Sequence, residues 1–270
     1  MLECICKVIM SAEIWQATDY ESVKEKSRTK PLVLWCEHES DDGRVESKRF
    51  LVKSPGHPEV LESNLFAELF GNLLAREFKI ATPKPAIIVL TEPFVQSIQP
   101  LLPSSILLRV GYGVGCEYLP EIKPLLSDFK IPAPLRSQAT MIYALDLVTA
   151  NTDRRIGNSN CALWNNELLA YDFELSFSFL QALFGPRPWL VSQLGIAQIH
   201  IFQRELKASG TDWRPFLNAL KLLDAQRFAE LVKDFPAPWL SNSERVFDYL
   251  LEAQAHSKQL IVEMETTLHI

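Results

Sequence analysis

Three oxygen-bearing side chains in the middle of the chain have the types and spacing of a site for metal binding and proton transfer. Asp153 and Asn158 stand five residues apart in a run that reads Asn-Thr-Asp-Arg-Arg-Ile-Gly-Asn, and Asp172 follows in the run Tyr-Asp-Phe-Glu. Asn, Thr, Asp and Gly favour a tight polar loop. A predicted hairpin with an Asn-Asn turn separates the two runs, and folding it would bring the three side chains to one mouth.

Carboxylate and amide oxygens are hard ligands suited to Mg²⁺, which proteins usually hold with few groups of their own plus substrate phosphates. A carboxylate can also orient a hydroxyl and accept its proton. An oriented acceptor, a metal ion and a cation are what phosphoryl transfer requires. Taken singly, Asp153 or Asn158 is more typical of a loop cap. Their order, with Asp172 after an apolar strand, favours a phosphoryl-transfer site.

The elements that must position these side chains divide the chain into two halves. Strands are predicted at residues 5–15, 31–36, 49–53, 86–90 and 111–120, with a polar loop at residues 19–30 and a turn at residues 41–44. Helices are predicted at residues 59–78, at residues 135–150 and in several pieces from residue 188 onward, and a strand–turn–strand unit at residues 161–172. A β-rich half with one long helix, followed by a mostly helical half, indicates an α+β fold or two lobes with a hinge at residues 117–124.

Composition excludes several other classes of protein. The 270 residues fit one large domain or a two-lobed unit, and 47% hydrophobic with 22% charged residues is typical of a globular chain. A net charge of −6 gives no broad basic surface, so we expect no nucleic-acid partner. No stretch approaches the length of a membrane span, and the first ten residues carry Glu3 and Lys7 inside their apolar run, unlike a signal peptide.

The five cysteines favour reduced thiols and a cytoplasmic protein. They are scattered, odd in number and form no Cys-x-x-Cys pair, which disfavours a zinc site or a disulfide framework. They are Cys4, Cys6, Cys36, Cys116 and Cys161.

The polar loop and the run that follows it resemble motifs of a known superfamily. Asp153-Arg154 with Asn158, then Asp172-Phe173, is similar to the catalytic loop and the metal-binding Asp-Phe-Gly motif of protein-kinase-like enzymes. HipA-like kinases and phosphoinositide kinases share the Asp-x-x-x-x-Asn loop, and the phrase Ala-Asn-Thr-Asp-Arg preceded by Asp-Leu-Val is most like the HipA-like branch. The resemblance spans roughly residues 10–180 and implies a two-lobed protein-kinase-like fold, with a small lobe over residues 1–116 and a helical lobe over residues 117–270.

The resemblance also implies a catalytic role for particular residues. Lys53 would contact the phosphates of ATP, with Glu68 as its ion-pair partner and Glu62 as the competing choice. Asp153 would align the acceptor hydroxyl, while Asn158 and Asp172 would hold Mg²⁺. The implied activity is ATP- and Mg²⁺-dependent phosphoryl transfer to a Ser or Thr of a protein substrate.

The nucleotide-binding residues follow from the same resemblance, with two departures from the family pattern. Glu117, Tyr118 and Leu119 stand where the adenine-binding hinge belongs. No Gly-x-Gly-x-x-Gly loop lies between the first two strands, where the chain reads Glu-Lys-Ser-Arg-Thr-Lys; backbone N–H groups there, with the Ser27 and Thr29 hydroxyls, could bind phosphate. The third position of the Asp-Phe-Gly motif is Glu174.

Several alternatives stay open at this level. The chain could be a nucleotide-binding regulator that resembles a pseudokinase, a kinase or AMP-transferase acting on a small molecule or lipid, or a non-enzymatic protein whose aromatic C-terminal helices bind a partner. Those aromatic residues recur at helical spacing, which favours core packing instead. Arg154 and Arg155 are equally well read as ligands of a substrate or phosphorylated segment and as a surface cation pair.

Overall fold

The computed structural model describes residues 11–181, 187–207 and 210–269. Most of the strand predicted at residues 5–15, together with Cys4 and Cys6, lies outside the described residues. The observed first strand, β1, runs over Glu13–Val23. Its second half contradicts the polar loop predicted at residues 19–30, because Tyr20 and Val23 pair with β2 and pack against the barrel core while the polar side chains between them face outward.

A closed sheet forms the N-terminal part of the fold. After β1 come β2 (Leu32–Glu39), β3 (Val45–Lys53), β4 (Pro85–Leu90) and β5 (Gly111–Glu117), in the spatial order β1-β2-β3-β5-β4. The neighbours are antiparallel except for β4, which closes the barrel by running parallel to β1. Alternate side chains point inward and fill it, among them Trp15, Leu34, Phe50 and Ile88.

Helix α1 (Glu62–Glu77) connects this barrel with the helical part of the chain. It begins three residues later than predicted, where the Asn64 side chain accepts a hydrogen bond from the backbone N–H of Leu61. Its aromatic face packs into the helical core, with Phe70 ring centroids 5.6 Å from Phe177 and 5.1 Å from Phe228. This packing fixes the helix, and every side chain on it, relative to the C-terminal part.

The rest of the chain is mostly helical, as predicted. Helix α2 (Glu92–Ile98) belongs to the barrel part instead: it lies between β4 and β5, where no helix was predicted, and packs against the barrel core. The helical part contains α3 (Arg136–Val148), the hairpin β6 (Cys161–Trp164) and β7 (Glu167–Ala170), then α4 (Ile196–Ile199), α5 (Gln203–Lys207), α6 (Arg214–Lys221), α7 (Ala225–Val232), α8 (Ser243–Ala255) and α9 (Ser257–Thr267). Aromatic residues of this part of the chain, including Phe202, Phe216 and Trp239, are buried, so they form core. The α+β class is confirmed. Across the described ranges, no helix is both long and apolar enough to cross a membrane.

Candidate active site

One lysine and three carboxylates meet where the barrel faces the helical part. Lys53 ends β3, Glu68 lies on α1, and Asp172 and Glu174 follow β7. Lys53 Nζ lies 2.8 Å from Glu68 Oε2 and 2.6 Å from Asp172 Oδ1, and it donates a hydrogen bond to each. It also lies 2.8 Å from Glu174 Oε2, an ion-pair contact without hydrogen-bond geometry. Glu62, the competing choice, is exposed at the start of α1.

Burial and charge act against each other in this group. Burial alone would lower the pKa of Lys53, but the carboxylates around it outweigh burial and raise that pKa well above its usual value. Burial raises the pKa of Glu68 despite its contact with Lys53. Burial also works against the ionised form of Asp172, yet the charges of Lys53 and Arg154 lower its pKa. The lysine therefore stays charged.

The three carboxylates have a spacing that fits a divalent cation. One oxygen from each of Glu68, Asp172 and Glu174 lies within 4.8 Å of the others. The three carboxylates contact two cations, Lys53 and Arg28, so a hard cation bound by their oxygens would reduce the remaining excess of negative charge. Asp172 was expected at such a site; Glu174 was noted only as a departure from the family pattern.

A cavity of about 460 Å³ opens next to this group and contains most of the predicted nucleotide-binding residues. Its walls include apolar side chains such as Leu51 and Val114, and Lys53 and Asp172 lie among its polar groups. The predicted residues that line it are Ser27, Lys53, Glu68, Glu117, Tyr118, Leu119 and Asp172. Thr29 is buried elsewhere in the β1–β2 loop and is not among the lining residues.

The predicted hinge segment, Glu117 to Leu119, lines the cavity and is held by backbone hydrogen bonds. The N–H of Glu117 donates to the carbonyl of Lys84 at 2.9 Å, and that of Tyr118 donates to the carbonyl of Arg49 at 2.8 Å. The Tyr118 hydroxyl accepts a hydrogen bond from Lys24 of the β1–β2 loop. This segment is thus tied to the barrel on one side and to the β1–β2 loop on the other.

Asp153 and Asn158 share one loop but are not among the described residues that line the cavity. Asn158 Nδ2 donates to the backbone carbonyl of Asp153 at 3.3 Å, which closes the loop on itself. Asn160 Nδ2 donates to Asp153 Oδ2 at 3.0 Å and so orients the carboxylate. Asp153 keeps 17% of its side chain exposed, and its other oxygen, Oδ1, lies 3.9 Å from Arg155 Nε.

Arg154 has neither of the two roles considered for it, because its side chain is wholly buried. Its Nε donates to Asp146 Oδ2 at 2.5 Å, and its Nη1 donates to the carbonyls of Tyr171 (3.3 Å) and Asn160. The guanidinium also lies over the Phe173 ring. Arg154 therefore fixes the loop that carries Asp153 relative to the segment that carries Asp172. Arg155 is exposed, with Nε 3.9 Å from Asp153 Oδ1, and its contact with a substrate or phosphorylated segment stays a prediction.

Asp146 on α3 holds the Arg154 side chain in place. Besides Arg154, it accepts hydrogen bonds from Asn151 Nδ2 (2.8 Å) and His200 Nε2 (3.0 Å). Burial opposes its ionised form, but Arg154 and His200 outweigh burial and lower its pKa. His200 Nδ1 accepts the backbone N–H of Phe202, so the neutral imidazole with its proton on Nε2 satisfies both neighbours.

Together, the barrel with its packed helix, the cavity beneath it and the lysine–glutamate–aspartate cluster define a two-lobed protein-kinase-like fold. A solved structure of this class, that of the Helicobacter pylori proinflammatory kinase CtkA, matches the chain with a TM-score of 0.50. The match covers 94% of this chain and 98% of that chain at 13% sequence identity, so it shows the fold alone. No model of a known protein family matches the chain, and no curated protein does. The predicted kinase-like fold is confirmed, and the HipA-like branch stays a prediction.

Proposed function

We propose that this chain is an ATP- and Mg²⁺-dependent kinase. The observation that carries the proposal is the buried contact of Lys53 with both Glu68 and Asp172 beside a cavity of nucleotide-compatible size. The lysine comes from the barrel and Asp172 from the helical part, so the two lobes meet at this cluster. The likeness in fold to a known kinase supports the same assignment.

The proposal gives each residue the role that the resemblance implies. Lys53, held by Glu68, binds nucleotide phosphates, and Glu117, Tyr118 and Leu119 contact the adenine. Asp172 and Asn158 hold Mg²⁺, which neutralises charge on the transferring phosphoryl group. Asp153, oriented by Asn160, aligns the acceptor hydroxyl and accepts its proton. Fixed charges held in place by the fold stabilise the transition state more than mobile water dipoles would.

The acceptor we propose is a Ser or Thr of a protein, as the HipA-like resemblance implies. Transfer to a small molecule or lipid, and transfer of AMP in place of a phosphoryl group, use the same site. Mass spectrometry of the product separates them, since the mass added identifies the group and the fragment identifies the acceptor.

Labelled ATP with Mg²⁺ tests the proposal directly. We expect the wild type to label itself or a protein acceptor, and Asp153→Ala and Asp172→Ala to lose about 10³-fold or more of that rate. Asp212→Ala is the matched control, because it also removes a carboxylate but from an exposed position with 51% of its side chain accessible. Equal labelling by all four proteins would contradict the catalytic assignment.

A nucleotide-binding regulator without transfer activity is the second candidate. One observation favours it: Lys53 is already engaged by three carboxylates, including Glu174 in the place of a glycine. A regulator of this kind would be stabilised by ATP, by about 2.7 kcal/mol at a concentration 100 times its Kd, with no turnover. Stabilisation together with labelling would exclude it.

A further inference from the structure

Two cations from different parts of the barrel contact the same carboxylate. Arg28, in the β1–β2 loop, places Nη2 2.7 Å from Glu174 Oε1, and Lys53 places Nζ 2.8 Å from Glu174 Oε2. The Glu174 side chain is only 6% exposed, whereas that of Arg28 is 49% exposed. We call this arrangement the Arg28–Glu174–Lys53 bridge. It joins the loop over the cavity to the segment after β7.

The backbone around Glu174 holds its carboxylate in this position. Asn64 Nδ2 donates to the Glu174 carbonyl at 3.2 Å, and the N–H of Phe173 donates to Glu68 Oε2 at 3.0 Å. Both contacts come from α1, which is itself fixed by the helical core. The carboxylate is therefore presented to the two cations by the fold, and its contact with Lys53 does not depend on Arg28.

The contacts show that Lys53 does not need the Glu174 carboxylate as a partner. Glu68 and Asp172 already provide Lys53 with two hydrogen-bonded carboxylates, while Glu174 touches it only as an ion pair. Arg28 likewise has a second partner, Glu59, at 2.6 Å. Neither cation would be left unpaired if the Glu174 carboxylate withdrew.

A carboxylate held between a lysine and an arginine occupies a site that suits a phosphate. Both anions accept charge-assisted hydrogen bonds, and the planar guanidinium binds either one in the same way. A nucleotide phosphate reaching Lys53 would meet the negative charge of Glu174 at close range. The phosphate must then displace that carboxylate or bind against its repulsion.

We propose that Arg28 and Lys53 form a two-cation site for the terminal phosphates of the nucleotide, and that the Glu174 carboxylate occupies it until phosphate displaces it. This rests on the proposed function, because it assumes that the cavity takes ATP. Arg28 thereby supplies, from a loop without the glycine pattern, the contact that holds the loop over the phosphates. Because phosphate must displace the Glu174 carboxylate, this carboxylate lowers the affinity of the site for nucleotide.

Calorimetric titration of ATP, inorganic tripolyphosphate and adenosine tests this, using the wild type, Glu174→Gln, Arg28→Gln and Glu59→Gln. We expect Glu174→Gln to bind ATP and tripolyphosphate about tenfold more tightly and Arg28→Gln about tenfold more weakly. Adenosine, which has no phosphate, should bind all four proteins alike. Glu59→Gln is the matched control, because it also removes a carboxylate that contacts Arg28, but one that does not contact Lys53. Its affinity for ATP and tripolyphosphate should stay within about twofold of that of the wild type.

Each outcome separates the bridge from the proposed function. If Glu174→Gln binds ATP no more tightly than the wild type, or binds it more weakly in Mg²⁺ because Glu174 is a metal ligand, the bridge is overturned. Binding of ATP by the wild type would in that case leave the kinase proposal standing. If the protein binds tripolyphosphate through Arg28 but does not bind ATP, the anion site is supported and the kinase proposal is refuted. Binding of neither probe by any protein overturns both. If Glu174→Gln does not fold, the half-exposed Arg28→Gln decides alone, and unchanged affinity there overturns the bridge.

Discussion

Replacing Asp146 by Asn should destabilise the fold strongly, although the side chain keeps its size. Asp146 and Arg154 are 1% and 0% exposed, so the arginine would lose its charged partner inside the core. Two donors, Arg154 Nε and His200 Nε2, share Oδ2, and a third donor faces Oδ1. An amide has one accepting oxygen, so its NH₂ must face at least one of these donors. Breaking a buried ion pair in this way costs about 3–5 kcal/mol.

That loss is a large share of a typical stability of about 5–15 kcal/mol. Urea unfolding measures it: with an m-value of about 3 kcal/mol/M, the midpoint of Asp146→Asn should fall by about 1 M or more. Asp212→Asn is the matched control, because its pair with Arg214 is exposed on both sides and should leave the midpoint unchanged. A shift for Asp146→Asn no larger than that of the control would refute the structural role assigned to the buried pair.

Two further predictions concern α1 and the histidine beside Asp146. A Cβ at Gly71 would lie 2.7 Å from Phe173 Cβ. Gly71→Ala should therefore gain about 1 kcal/mol of helix propensity but lose about 1–3 kcal/mol to crowding. Urea unfolding should show net destabilisation, and an increase in stability would contradict this prediction. Burial, outweighing the hydrogen bond to Asp146, lowers the pKa of His200, so the unfolded chain binds a proton more readily than the folded one. Stability should therefore fall as pH drops below about 6.5, and this slope should be shallower in His200→Gln; equal slopes would count against it.

The main elements of the fold were predictable because they depend on local patterns. The long helix followed from apolar residues at three- and four-residue spacing, which is the face that now packs into the helical core. The strand over residues 19–23 was missed because most of its side chains are polar, while its pairing with β2 and the packing of Tyr20 and Val23 against the barrel core join distant segments. Pairing between segments far apart along the chain leaves little trace in the local sequence.

The candidate site was likewise predictable only in part. Lys53 and Glu68 meet as expected, and Glu68 prevails over Glu62 because it lies on the buried side of α1. Arg154 and Glu174 could not be assigned from sequence, because their roles come from contacts across separate loops. Arg28, for example, lies 146 positions before Glu174 in the chain. The signal in the sequence for the buried pair was an arginine directly after Asp153, eight residues beyond Asp146.

The parallel seam between β1 and β4 has a consequence for how the chain must be assembled. Residues 13–16 pair with residues 86–89, so β2, β3 and the whole of α1 must be synthesised before the barrel can close. Until then, the outer edge of β1 presents unpaired N–H and C=O groups to any other strand in reach. Seam formation spans more than seventy positions and belongs to the slow, non-local class of folding events. A chain interrupted within α1 would therefore lose its barrel as well as its helix, and would leave the ribosome with an edge prone to aggregation.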